Sequence, residues 1–131
     1  MDIKVEEYVR TKNGLIGKVN KIELAGSGVR FGGEFLTDTI IQFNDGKVYE
    51  RRVKTQQIFK HSFNLIDLIE VGDYVNGEKV IEVHLDLGYV FVDKETELGT
   101  KTFCDYQIET ILTHEQMEEN QYVVKRNMET N

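Results

Sequence analysis

The stretch Ile69–Val83, IEVGDYVNGEKVIEV, decides how the chain is read. Gly72 permits a sharp entry and Asp73 caps the turn. Tyr74 and Val75 then point to opposite faces, because strand side chains alternate. Asn76-Gly77 supplies a tight turn before the next strand. An earlier stretch, Lys4–Val19, KVEEYVRTKNGLIGKV, follows the same course. Val5-Glu6-Glu7-Tyr8-Val9 aligns with Val71-Gly72-Asp73-Tyr74-Val75, an offset of 66 residues. Each is followed by a glycine-containing turn and an apolar-rich strand, LIGKVNKI or KVIEVHLD. Each then has a further β run, TIIQF or YVFVD. Each closes on a late strand that enters a capped short helix, IFKHS before NLIDLI and IETILTHEQ. The pattern predicts a divergent internal repeat. A single irregular β-fold with a chance resemblance is the alternative.

Outward from these two stretches the chain keeps one style. Proline is absent, so punctuation falls to glycine with Asn and Asp. Asn13-Gly14, Asn44-Asp45-Gly46, Asn76-Gly77, Leu87-Gly88 and Leu98-Gly99 read as tight turns. The Asp45-Gly46 turn, between TIIQF and KVYERRV, is the clearest hairpin signal. Between turns lie short runs rich in Val, Ile, Tyr, Phe and Thr: 5–10, 15–24, 35–43, 47–59, 79–85, 89–93, 101–112 and 121–124. Short strands parted by turns indicate an all-β architecture. The expected fold is mostly β: two divergent SH3-like small β-barrels, closed or nearly so, over residues 1–68 and 69–126. A disordered tail would occupy 127–131. Each repeat would end in a short capped helix. Thr113-His114-Glu115-Gln116 fits a capping box for a helix that ends near Asn120. Ser62 would cap a turn or two of helix through Leu68.

Composition narrows the function classes. A chain of 131 residues with 40% hydrophobic and 30% charged residues is globular. It has no apolar run near the roughly 20 residues that span a bilayer, and its N-terminus lacks signal-peptide features. One cysteine, Cys104, allows no internal disulfide and no Cys-rich zinc site. A cytoplasmic location is expected. The net charge of -7 is uneven: residues 1–69 hold 11 Lys+Arg against 9 Asp+Glu, and residues 70–131 hold 5 against 14. An acidic C-terminal half repels phosphates and suits a basic partner surface.

The stretch Asn64–Gly77, NLIDLIEVGDYVNG, preceded by Lys60-His61-Ser62 and followed later by Ile108–Gln116, IETILTHEQ, resembles segments of small phage- and prophage-encoded proteins of Firmicutes. The resemblance covers roughly residues 55–125. That group carries no established activity. Such company implies an accessory protein that binds and blocks a host protein or defence complex, as anti-CRISPR proteins do.

Individual motifs carry little chemistry of their own. The segment Gly26–Gly33, GSGVRFGG, departs from the dinucleotide fingerprint, because its third glycine comes one residue late and a strand follows. It reads as a loop or an extended hairpin tip. If it grips a partner, Arg30 supplies charge and Phe31 a flat apolar face. His61, His84 and His114 are not at metal-ligand spacing from one another or from Cys104, so no metal or other cofactor is expected. With only Ser27 and Ser62, and Asp105 beside Cys104, nucleophilic chemistry has no support. Asp93, Glu95 and Glu97 alternate, which would place them on one face as a negative stripe. Tyr49, Arg51, Arg52 and Lys54, with Lys47 and Lys60, form a basic run with aromatic neighbours.

The expectation is therefore a non-enzymatic binding protein, with Asp93, Glu95, Glu97, Arg30 and Phe31 as partner contacts. Its partner would be a host protein. The rival is a nucleic-acid or nucleotide binder that uses Tyr49, Arg51, Arg52 and Lys54. A structural phage component is the third class.

Overall fold

The computed structural model describes residues 2–31, 34–46 and 49–120; side chains are described except at 25–38 and Asn120. The run at 121–124 and the tail at 127–131 lie outside the described residues. The first sheet holds β1 (Tyr8–Thr11), β2 (Ile16–Phe31), β3 (Glu34–Asn44), β4 (Glu50–Lys54) and β5 (Ile58–Ser62), in the order β4-β3-β2-β1-β5. The second holds β6 (Tyr74–Val75), β7 (Glu78–His84), β8 (Tyr89–Thr96), β9 (Gly99–Cys104) and β10 (Ile111–Leu112), in the order β10-β6-β7-β8-β9. All neighbours are antiparallel. Counted within each sheet, the two strand orders are the same.

The correspondence reaches into single residues. Glu6 and Gly72 both take a left-handed backbone, at φ 79° and 97°. The Glu6 amide donates to the Val19 carbonyl, and the Gly72 amide to that of Val80. Val19 and Val80 return the bond to the carbonyls of Glu7 and Asp73, each at 2.8 Å. The ladder then slips just past each valine, between Val19 and Lys21 and between Val80 and Glu82. Such a bulge bends a strand and increases its twist. Each sheet also places a 3₁₀ turn between its fourth and fifth strands, Thr55–Gln57 and Asp105–Gln107. In each, a glutamine side chain accepts from the residue before the turn: Gln57 from Lys54, Gln107 from Cys104.

Those 3₁₀ turns split the two longest expected strands, 47–59 and 101–112, into two strands each. They also correct the expected closure. Among the described residues neither sheet closes on itself, and β4, β5, β9 and β10 are end strands. The 3₁₀ turn carries the chain away from β4 and across to β1, so β5 pairs with β1 alone; β10 likewise pairs with β6.

The glycine turns fall where expected, with positive φ at Gly14, Gly46, Gly77, Gly88 and Gly99. Asn76 and Gly77, at φ 52° and 81°, make the two-residue hairpin between β6 and β7. Beside the Asp45-Gly46 turn, the last pair of β3 with β4 joins Asn44 to Glu50. The first helical expectation is corrected as well. Residues Leu65–Leu68 form one 3₁₀ turn with Asn64 at its N-cap. Ser62 ends β5, accepting from the Asn64 amide and donating to Asp67. The second helix, α1 (His114–Asn120), follows Thr113 as expected and runs to the last of the described residues.

Two apolar clusters fill the molecule. One joins Val9, Val19, Ile41, Phe43 and Ile58 with Ile3. The other joins Val75, Val80, Val90, Val92 and Phe103 with Ile66 and Ile69. Each fully buried Val or Ile contributes on the order of 1.5–3 kcal/mol, so both halves own a core. Among the described residues no helix is long and apolar enough to cross a membrane.

Candidate functional site

The chemistry most concentrated in the molecule lies at the joint between the two sheets. Val9 on β1 points into the first core, so alternation turns Arg10 the other way, toward the second half. Its guanidinium is wholly buried. Nη1 donates to the Leu68 carbonyl at 2.9 Å and to Asp73 Oδ2 at 2.5 Å. Nη2 donates to Asp73 Oδ1 at 3.0 Å and to both carboxylate oxygens of Glu115, at 2.5 and 2.8 Å. Burial works against this charge, but the hydrogen bonds to Asp73 and Glu115 outweigh it and raise the Arg10 pKa further.

Asp73 is the hub. Besides Arg10 it accepts from the amides of Glu70 at 2.8 Å and His114 at 2.9 Å. It thus caps its own turn, as the sequence suggested, and orients the start of α1 as well. Thr113 Oγ1 donates to the Gly14 carbonyl at 2.7 Å and accepts from the Gln116 amide at 3.3 Å. The Gln116 side-chain amide donates to the Asn13 carbonyl at 2.6 Å rather than only serving its own helix. Both chains of contact tie the Asn13-Gly14 turn of the first half to α1. In the first half the counterpart of Asp73 is Glu7. It accepts from the Lys4 amide at 2.6 Å and faces His61 Nδ1 at 3.0 Å.

Glu70, His114 and Glu115 surround a small hollow, with ligand-type atoms within 4.8 Å of one another. Sequence spacing did not reveal this grouping, because Glu70 is brought in by the fold. His114 Nε2 lies 2.7 Å from Glu115 Oε1 and 3.6 Å from Glu70 Oε1. The two carboxylates already face fixed cations, Lys60 on Glu70 at 2.8 Å and Arg10 on Glu115. Burial pushes the Glu70 carboxyl up, yet Lys60 and Arg10 outweigh it and hold it below its ordinary 4.5. A metal ion here would have to displace or oppose those cations, so the arrangement serves as an ion-pair network.

The acidic residues singled out in sequence sit on the β8–β9 hairpin. Asp93, Glu95 and Glu97 are all exposed. The ladder slips between Phe91 and Glu95, so simple alternation does not fix their common face. Among the described residues no ion pair engages any of the three; Lys94 and Lys101 pair instead with Glu78. Leu98, at the hairpin end beside Glu97, is wholly exposed. Thr96 fixes that end, donating to the Gly99 carbonyl at 2.7 Å and accepting from the Leu98 amide at 3.2 Å.

The basic run is less available. It lies on β4, an end strand, with Tyr49 exposed just before it. Arg51 pairs with Asp45 at 3.0 Å and Arg52 with Glu23 at 2.9 Å. Lys54 also has a partner. The partners of Arg51 and Arg52 come from the same half, whereas Lys60 reaches Glu70 at the start of the acidic half. Lys47 lies outside the described residues. Residues 26–31 of the glycine-rich segment belong to β2, with Arg30 opposite Phe35 and Phe31 opposite Glu34, and Gly32-Gly33 lie outside the described residues. The side chains of Arg30 and Phe31 lie outside the described residues.

His84 belongs to a ring cluster with Tyr89 and Phe91, at centroid distances of 5.1–5.6 Å. Cys104 Sγ bonds the Gln107 side chain at 3.2 Å and so serves its local turn. Two adjoining hollows, of about 400 and 200 Å³, form a groove between the sheets and share Ile16, Asp45 and Ile111. No protein-family model, curated protein or solved structure matches the chain.

Proposed function

We propose that the chain is a non-catalytic binding protein that docks a basic surface of a partner protein through its β8–β9 hairpin. One observation carries the reading. Asp93, Glu95 and Glu97 stand exposed and without internal ion pairs beside the wholly exposed Leu98, on a hairpin end held by Thr96. Unspent charge around an apolar tip favours steering and docking of an opposite charge. By contrast Arg51 and Arg52 already hold carboxylates, which lowers their call on phosphates. The reactive candidates are absorbed locally, Ser62 by Asp67 and Cys104 by Gln107.

The matching strand orders, the paired bulges and the 3₁₀ turn before each fifth strand favour two SH3-like repeats. The resemblance of residues 55–125 to prophage proteins favours a host protein as partner and inhibition as the outcome of binding.

Tagged chain, passed through host lysate at low and moderate salt, tests this. The wild type is expected to retain a protein that Asp93→Lys/Glu95→Lys/Glu97→Lys loses, with the unfolding midpoint unchanged. Equal retention by the triple variant overturns the reading. Nuclease-sensitive nucleic acid in the eluate, lost with Arg51→Ala/Arg52→Ala, moves the function to β4.

A further inference from the structure

We propose that the groove between the two sheets is a separate peptide site, built for an extended segment that carries a Lys or Arg beside a bulky apolar residue. The inference makes no use of the β8–β9 hairpin, so the two readings stand or fall separately.

Shape comes first. The larger hollow, at about 400 Å³, lies within the size range of sites that hold ligands. It continues into the smaller one through Ile16 and Ile111. Its apolar lining comes from both halves: Tyr8 and Ile16 from the first sheet, Leu65 from the connecting turn, Ile108 from the end of the Asp105–Gln107 turn and Ile111 from β10. All five are half-buried. Ile108 and Ile111 pack one side against the second core and turn the other to the groove. A bulky apolar side chain from a partner would complete that burial.

The second point is backbone. Among the described residues β10 is an end strand, with β6 on one side only. The run 108–112 follows the groove, and Ile108, Glu109, Ile111 and Leu112 all line it. Asn76 ties the inner side of this run, accepting from the amides of Glu109 and Thr110. Among the described residues no backbone hydrogen bond joins β10 to the first sheet. An open strand edge with side-chain pockets beside it is the setting in which an extended peptide is held.

Charge then selects the peptide. Lys18 lines the groove but is paired with Glu6 at 3.1 Å. Arg51 and Asp45 hold each other. Glu109 is exposed and has no ion-pair partner among the described residues. Among the described residues Glu109 is therefore the groove carboxylate left without an ion pair, next to an apolar floor, which complements a basic residue adjoining an apolar one. The width is set in advance, because Arg10 holds Glu115 while Thr113 and Gln116 hold the Asn13-Gly14 turn, which fixes β1 and its turn against α1. A preset groove avoids an ordering cost on binding.

The experiment is a selection of random linear peptides on the immobilised full chain, followed by fluorescence anisotropy of the enriched sequences. Enriched peptides are expected to share a Lys or Arg adjoining a Leu, Ile or aromatic residue. They should weaken about tenfold or more on Glu109→Lys, a loss typical of a severed charge contact. They should weaken similarly on Leu65→Glu and bind the Asp93/Glu95/Glu97 triple variant normally. Glu109 is exposed, so its variant keeps the fold, and an unchanged unfolding midpoint verifies this. No enrichment, an acidic consensus, or peptides indifferent to both Glu109→Lys and Leu65→Glu overturns the proposal. Peptides lost only with the triple variant belong to the hairpin and also overturn it.

Discussion

Arg10 and Asp73 lie 63 residues apart in sequence, are both wholly buried, and meet through two hydrogen bonds of 2.5 and 3.0 Å. The pair is the point at which the two similar halves become one object. Asp73 caps the second half's entry turn with one oxygen and positions α1 with the other. Arg10 adds Glu115 and the Leu68 carbonyl to the same network. A buried charge of this kind is stable only while every partner is present.

Arg10→Ala leaves Asp73 without its counter-charge inside the protein and is expected to cost about 3–5 kcal/mol. Arg10→Lys does not rescue it fully. An ammonium cannot reproduce the planar fork that reaches Asp73, Glu115 and Leu68 together, so a loss of about 1.5–3 kcal/mol remains. Urea unfolding of both variants gives the two values.

Gly14 answers to two constraints at once. Its φ is 87°, and an added Cβ would fall 2.3 Å from Thr113 Oγ1 and 2.8 Å from Glu115 Cβ. Gly88, at φ 78°, has open space around the same point. Gly88→Ala is expected to cost only the backbone strain, about 1–2 kcal/mol. Gly14→Ala should cost clearly more, since it forces α1 off the Asn13-Gly14 turn. Thermal unfolding of the two variants side by side checks the order.

Glu6 sits in a left-handed conformation where its counterpart is Gly72. Its exposed pair with Lys18 contributes little. Glu6→Gly relieves the strain at the cost of some unfolded-chain freedom, and should stabilise by about 0.5–1 kcal/mol. A lower melting temperature would contradict the strain assigned to Glu6.

Acid should weaken the joint. The Glu70 pKa is held below 4.5 in the folded chain, burial being outweighed by Lys60 and Arg10. A depressed folded value means that its stabilisation is complete above the unfolded value and fades as pH falls through the folded one. Glu78, held down in the same direction by Lys94 and Lys101, adds to that slope. Lys60→Met removes the main opposing charge at Glu70 and should make the decline of stability below pH 4.5 shallower. Stability measured across the acid range gives the comparison.

Much of this fold was readable from local signals. The glycine turns, Asn76-Gly77 above all, act through backbone geometry that one or two residues dictate. The common course of the two entry turns was visible because Glu6-Glu7-Tyr8-Val9 and Gly72-Asp73-Tyr74-Val75 keep the same spacing. The 3₁₀ turns were not legible. Thr55–Gln57 and Asp105–Gln107 interrupt runs that favour strand, and their signal is a single glutamine side chain reaching back three residues. The joint was half legible. Asp73 stood out as a cap, but its partner is set by packing across 63 residues, and a lone Arg10 between Val9 and Thr11 reads as a solvent-facing strand residue. The grouping of Glu70 with His114 was hidden for the same reason. The acidic hairpin was legible as composition, whereas its freedom from internal ion pairs required coordinates.

The most direct test of the account is residue-resolved urea unfolding by NMR, following Val9 and Val19 in the first core and Val75 and Val92 in the second, in the wild type and in Arg10→Met. In the wild type all four should lose native signal in one shared transition. In Arg10→Met the two pairs should separate into two transitions, because the halves own their cores but not their connection. Separate transitions in the wild type, or a single shared one in Arg10→Met, would contradict the claim that Arg10 and Asp73 join the two sheets into one cooperative unit.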